Sequence, residues 1–79
     1  MSKTIDFPDL DAAIDAEAWQ WLQETAPVYA DAITAEVRRG HAPGDIRQRF
    51  MRLTQRPALA LRLEQAARHL RRQRMEVGQ

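Results

Sequence analysis

Four prolines divide this 79-residue chain at nearly even intervals, and they constrain its fold more than any other feature. Proline at the first position of a helix has no N–H whose hydrogen bond could be lost, so it commonly opens a helix. The chain is also rich in alanine, a strong helix former, and its β-branched residues never form a run. We therefore predict four helices, each opened by one of the prolines: Pro8, Pro27, Pro43 and Pro57.

The length allows one small domain, which we assign to residues 1–79. A chain of this size hides only about 60% of its unfolded surface, so we expect a modest core and no separate cofactor-binding domain. The fold class we predict is all-α, a small bundle of four helices with a long, basic C-terminal helix. Residues 1–7 are expected to be extended or frayed, and residues 71–79 to form a solvent-exposed helix end.

Hydrophobic spacing predicts where each helix lies and which face it buries. The expected helices are 8–25, a second one from Pro27 to a cap at Gly40, a third one over 45–53 and a fourth one over 57–76. Asp15 is an alternative cap for a first helix that starts later. The predicted core residues are Leu10, Ile14, Ala18, Trp21 and Leu22, then Tyr29, Ile33 and Val37, then Ile46, Phe50 and Leu53, and finally Leu59, Ala60, Leu63, Ala66, Ala67 and Leu70.

The net charge of +1 conceals an uneven distribution of acidic and basic residues. Residues 1–40 hold eight acidic and three basic residues, a net charge of −5, whereas residues 41–79 hold nine arginines and three acids, a net charge of +6. A basic end of this kind attracts acidic partners. Pairing of the arginines with the acidic half inside the fold is an equally good explanation.

The segment from Pro43 to Arg74 has the outline of a helix-turn-helix, in which the second helix enters the major groove. Its turn, residues 54–56, lacks the glycine that many such motifs carry, and Arg49 stands where a small residue is usual. Arginine binds phosphate through a planar fork of donors. The predicted nucleic-acid-binding residues are Arg56, Arg62, Gln65, Arg68, Arg71, Arg72 and Arg74.

A second set of residues predicts a surface for a protein partner. Leu61 and Met75 bracket arginines on the outer face of the last predicted helix, and both residue types suit interfaces. Trp19 and Trp21 are about 200° apart on a helix, so we expect Trp21 to face the core and Trp19 to face outward as an anchor. Cover by the same chain is the alternative for Trp19, and a homodimer is a further option.

Catalysis is not expected, because no nucleophile, phosphate loop or metal-ligand spacing is present. Cysteine is absent, which excludes disulfides, cysteine-ligated zinc and thiol chemistry. We interpret His41 as a solvated turn residue and His69 as a residue on the flank of its helix. No cofactor, metal or small-molecule substrate is predicted.

Location and role follow from the same features. Charges interrupt every apolar stretch and the first residues lack the apolar run of a signal peptide, so we expect a cytoplasmic protein without a membrane segment. The favoured hypothesis is a nucleic-acid-associated regulator or accessory factor that uses its C-terminal arginines. The alternative is a protein-interaction module or an inhibitor of a larger complex. The predicted partner is nucleic acid or an acidic protein surface, and the sequence does not identify which.

Overall fold

Residues 7–77 form four α-helices in the computed structural model, which describes those residues and, for side chains, residues 10–74. The helices are α1 (Phe7–Thr25), α2 (Pro27–Arg38), α3 (Pro43–Thr54) and α4 (Pro57–Val77). This confirms the predicted all-α bundle. Of the predicted frayed start, residues 1–7, only residue 7 is described, and it is helical; of the predicted exposed end, residues 71–79, the helix continues to Val77 and residues 78–79 lie outside the described residues.

Proline and glycine determine most of the helix boundaries, as predicted. Pro27, Pro43 and Pro57 are the first residues of α2, α3 and α4. Gly40 takes a φ of 88° after α2 and donates its N–H to the carbonyl of Val37 at 2.9 Å. Such a left-handed glycine is the usual way to satisfy the last carbonyls of a helix.

The predicted start of α3 at Asp45 is wrong by two residues. The helix begins at Pro43, and the carbonyl of Ala42 accepts the N–H of Ile46 at 3.0 Å. Proline has its φ already fixed near the helical value, so the chain can enter the helix there without an acidic cap. Asp45 instead lies within the first turn, where its charge favours the helix dipole.

The core is organised around α4, which packs against all three other helices. Its predicted stripe is confirmed: Leu59, Ala60, Leu63, Ala66 and Ala67 are buried, and Leu70 is half-buried against them.

From α2, Ile33 and Val37 are buried as predicted, and Tyr29 is half-buried with its ring edge-on to Phe50 at 6.1 Å. Leu53 was predicted in the core but is exposed, because the inward face of α3 ends at Phe50.

The predicted inward face of α1 is only partly correct. Ala18 and Leu22 are buried, but Leu10 and Ile14 are exposed and Asp15 is buried in their place. A carboxylate at the centre of a buried face requires partners, and two arginines of α4 supply them. Asp15 is therefore an internal residue of α1 and not a cap.

Trp19 and Trp21 lie on opposite flanks of the buried line through Ala18 and Leu22. Both indole rings are half-buried and pack against the core cluster, which confirms the inward placement of Trp21; for Trp19, cover by the same chain is correct and the outward anchor is not. Their 200° separation is real, but rings of this size reach the core from either flank.

Among the described helices, none is both long and apolar enough to cross a membrane.

The connection between α3 and α4 contains a strained residue. Gln55 has a φ of 56° and donates its N–H to the carbonyl of Met51 at 2.8 Å, so a non-glycine residue occupies the left-handed position that ends α3. We expect Gln55→Gly to raise the free energy of unfolding by about 0.5–1 kcal/mol, because glycine adopts this conformation without strain. Urea denaturation measures the change. Gln55→Ala serves as the control, and an equal gain there would rule out relief of backbone strain as the cause.

Candidate nucleic-acid interface

Among the side chains of residues 10–74, five of the eleven arginines form ion pairs with carboxylates. They are Arg39, Arg47, Arg49, Arg68 and Arg72. Their acceptors are Asp15 on α1, Glu36 on α2 and Glu64 on α4. Much of the basic charge of the second half of the chain is thus balanced inside the bundle, which was the alternative to a ligand-binding surface.

Asp15 binds the two arginines that were expected at the centre of the interface. Arg68 donates from Nε to Oδ2 at 3.1 Å and from Nη2 to Oδ1 at 3.3 Å, and Arg72 donates from Nη2 to Oδ2 at 3.3 Å. The Asp15 side chain is 1% exposed, whereas those of Arg68 and Arg72 are 39% and 40% exposed. The two guanidinium groups therefore have a structural partner already, and Nη1 of Arg72 is buried without a hydrogen-bond partner among the described residues.

The hydrogen bond that Arg68 donates to Asp15 also raises the pKa of Arg68 above its ordinary value, and the charges of Asp15 and Glu64 add to this effect against the opposing effect of burial. Glu64 accepts a further bond from Nη1 of Arg68 at 3.2 Å and one from Arg47 at 3.1 Å. Charge-assisted, forked bonds of this kind hold a guanidinium in one orientation. The network joins α1, α3 and α4.

The other predicted nucleic-acid ligands divide between the two ends of α4. Arg56 is exposed in the connection before α4, and Arg62 lies over the ring of Trp21 at 4.5 Å. Gln65 is half-buried beside α1. Arg71 and Arg74 are exposed near the opposite end, and the 18 residues between Arg56 and Arg74 span about 27 Å of helix. The seven predicted residues are thus spread along most of the length of α4 and the connection before it.

The helix-turn-helix outline also meets a geometric difficulty. A recognition helix presents its early residues to the major groove. In α4 the early residues Leu59, Ala60 and Leu63 are buried in the core, and the arginine of that part, Arg62, covers a tryptophan. The exposed residues of the first two turns of α4 are Pro57, Ala58, Leu61 and Arg62, and Arg62 is the one polar side chain among them.

Arg71 and Arg74 instead meet Arg38 of α2 around an open hollow of about 320 Å³. Its lining consists of Val37, Arg38, Gly40, His41, Arg71 and Arg74. We call Arg38, His41, Arg71 and Arg74 the basic hollow. Within residues 10–74, no carboxylate lies within ion-pair distance of the three arginines. Three arginines from two helices thus line one open space.

His41 lies in the connection after α2 with its side chain 41% exposed, as predicted for a solvated turn residue, but it is also held in place by Glu36. Its Nδ1 donates a hydrogen bond to Oε1 of Glu36, a carboxylate that is only 9% exposed. Arg49 and Arg39 approach the same carboxylate at 3.4 and 3.7 Å. The bond from His41, followed by the charges of Arg49, His41 and Arg39, lowers the pKa of Glu36 despite the opposing effect of burial.

Sequence reasoning missed Arg38, His41 and Glu36 as site residues because it grouped residues by net charge along the chain. A local signal was present, since Gly40 turns the backbone between Glu36 and His41 and so allows the two side chains to meet. His41 also borders a second open hollow of about 430 Å³, which Glu36, Arg49 and Arg52 line as well. His41 at the end of α2 therefore lies between two open hollows, each of which is also lined by arginines.

The residues predicted for a protein partner are differently placed. Leu61 is exposed beside Ile14 of α1, whereas Trp19 packs against the core and is half-buried. Met75 belongs to α4, but its side chain lies outside the described ones. His69 is half-buried on α4. Within the described residues, no three histidine or carboxylate side chains converge in a way that could hold a metal ion.

Comparisons with known proteins do not add a family to this description. No protein-family model matches the chain, and neither the curated proteins nor the solved structures compared with it show a significant match.

Proposed function

We propose that this protein is a non-enzymatic, nucleic-acid-associated protein that contacts phosphate groups through the basic hollow. The observation that carries the proposal is the convergence of Arg38, Arg71 and Arg74 on one open space, with no carboxylate of the described residues in ion-pair contact with them. Guanidinium groups bind phosphate oxygens in pairs, which suits a cluster of three better than a lone charge. A cytoplasmic location and a regulatory or accessory role are part of the same proposal.

The position of the hollow favours contact with the backbone rather than with base edges. Phosphate contacts orient a protein on nucleic acid without carrying sequence information. The hollow is open, and its arginines come from two different helices, so they do not form a row along one helix that could enter a groove. We therefore propose binding with little sequence preference, and we no longer place Arg68 and Arg72 among the primary ligands.

A competing explanation is that these arginines stabilise helix ends. Arg38 and Arg74 lie in the last turns of α2 and α4, where a positive charge favours the helix dipole without any ligand. The two explanations differ in their salt dependence. Three phosphate contacts release counterions, so the binding constant for duplex DNA should fall about 40-fold between 50 and 200 mM salt, a logarithmic slope of about −2.7.

The test is fluorescence anisotropy of labelled duplex and single-stranded oligonucleotides over a range of salt concentrations. The paired substitution Arg71→Gln/Arg74→Gln should weaken binding about tenfold or more and reduce the slope by about 2. The matched control is Arg47→Gln/Arg52→Gln, which removes the same charge from two exposed residues of α3 that are not predicted ligands. No binding at low salt, or equal losses in the two variants, would contradict the proposal.

An acidic protein surface is the other ligand class that suits a guanidinium cluster. Polyglutamate added as a competitor distinguishes it from nucleic acid. If the hollow binds polyglutamate and neither oligonucleotide, the protein-interaction alternative replaces the present one. Trp19→Ala tests the anchor that was predicted for this alternative. The variant should no longer capture the protein partner but should keep its helicity. Retention of the partner would argue against Trp19.

A further inference from the structure

A groove between α1 and α4 leaves apolar side chains exposed at a place separate from the basic hollow. It has a volume of about 360 Å³ and is lined by Ile14, Glu17, Ala18, Ala58, Leu61, Arg62 and Gln65. Ile14 and Leu61 are 40% and 39% exposed, and Leu10, one turn before Ile14, is 46% exposed. We call this surface the α1–α4 groove. Three large aliphatic residues on one side of so small a domain favour a covered surface.

The two walls of the groove carry opposite charges. Glu17 belongs to α1 and Arg62 to α4. Neither forms an ion pair with another side chain of the described range. Arg62 is held next to the groove by its contact with the ring of Trp21, so its charge has a defined position. An occupant of the groove must therefore present a positive group to α1 and a negative group to α4.

We propose that the occupant is a second copy of this chain, related by a two-fold axis that runs parallel to the helices. In each copy α1 and α4 are antiparallel, because Asp15 contacts Arg68 and the later Trp21 contacts the earlier Arg62. Rotation about such an axis places α1 of each copy over α4 of the other. Glu17 of each copy then faces Arg62 of its partner, and the exposed leucines and isoleucine are covered together.

The other simple arrangement is disfavoured by charge. A two-fold axis within the interface but perpendicular to the helices places α1 on α1 and α4 on α4, so that Glu17 meets Glu17 and Arg62 meets Arg62. Like charges placed opposite each other across an interface are repulsive. The surface is thus complementary to itself in one arrangement only. An isologous interface requires this property.

The dimer leaves the basic hollow accessible, because the groove and the hollow share no residue. It therefore carries two phosphate-binding hollows if the proposed function is correct, but it does not depend on that function. The aliphatic area is small, so we expect dissociation in the micromolar range rather than an obligate dimer.

The experiment measures mass by sedimentation equilibrium from micromolar to submillimolar concentrations. The wild-type chain should shift from 9.1 kDa towards twice that mass. Glu17→Arg and Arg62→Glu should each weaken self-association about tenfold or more, because each creates two like-charge contacts. Mixing these two variants should restore a dimer, since both contacts of the mixed pair then join opposite charges. Asp31→Arg changes an exposed residue of α2. It is the control and should leave the association unchanged.

The mixing result separates this arrangement from others. A wild-type chain that stays at 9.1 kDa throughout overturns the proposal, whether the groove takes a partner of different sequence or another segment of the same chain. A wild-type dimer whose two variants fail to associate when mixed overturns the two-fold arrangement. Leu61→Asp should also abolish the dimer, and circular dichroism of every variant checks that the helices are retained.

Discussion

Asp15→Asn should lower the free energy of unfolding by about 2–3 kcal/mol, the largest effect of any single substitution proposed for this protein. The carboxylate is buried and accepts three hydrogen bonds from two arginines of α4. The amide keeps the size of the side chain but removes the charge and brings an N–H group to face the guanidinium donors. The loss stays below the 3–5 kcal/mol typical of fully buried pairs, because Arg68 and Arg72 remain in contact with water.

The geometry also predicts an order among the partners. Arg68 donates two bonds to Asp15 and Arg72 donates one, so Arg68→Gln should cost more stability than Arg72→Gln, and both should cost less than Asp15→Asn. Urea denaturation measures all three, and Asp31→Asn, which changes an exposed acid, is the control with an expected change within about 0.5 kcal/mol. A loss from Asp15→Asn no larger than that of the control would mean that the buried pair adds nothing to stability.

Glu36→Gln should destabilise the fold by about 1–2 kcal/mol near neutral pH, and this loss should disappear in acid. The pKa of Glu36 is lowered in the folded state, chiefly by the hydrogen bond from His41 and then by the nearby arginine charges. A carboxyl group with a lowered folded pKa contributes stability above its unfolded pKa. That contribution is lost as the pH falls from the ordinary value of 4.5 through the lowered folded value.

The measurement compares urea midpoints of the wild-type chain and Glu36→Gln at several pH values from neutral to below the ordinary pKa of glutamate. Other carboxylates titrate in both proteins, so their effects cancel in the difference. Glu24→Gln removes an exposed acid of α1 and should show a small difference at every pH. A difference between wild type and Glu36→Gln that stays constant across this range would show that the charge of Glu36 is not what stabilises the end of α2.

Both predictions concern residues that pattern recognition treats as surface residues. Asp15 lies between apolar positions of α1, and a helix face inferred from hydrophobic residues alone is displaced towards Leu10 and Ile14. Ile14 is instead exposed on the α1–α4 groove, and Leu10 is exposed one turn before it. A core position filled by a carboxylate can be identified only when its arginine partners are known to lie opposite.

The sequence by itself determined the number of helices, most of their ends and the buried face of α4. These features depend on neighbouring residues: proline at a first turn, glycine after a last turn and alanine and leucine at helical spacing. Only the tertiary structure decided which charges balance each other. Asp15 and Arg68 are 53 positions apart in the chain, and the basic hollow combines Arg38 with Arg71 and Arg74. Charge interactions depend on distance in space, which the packing of four helices sets and which no local pattern of residues records.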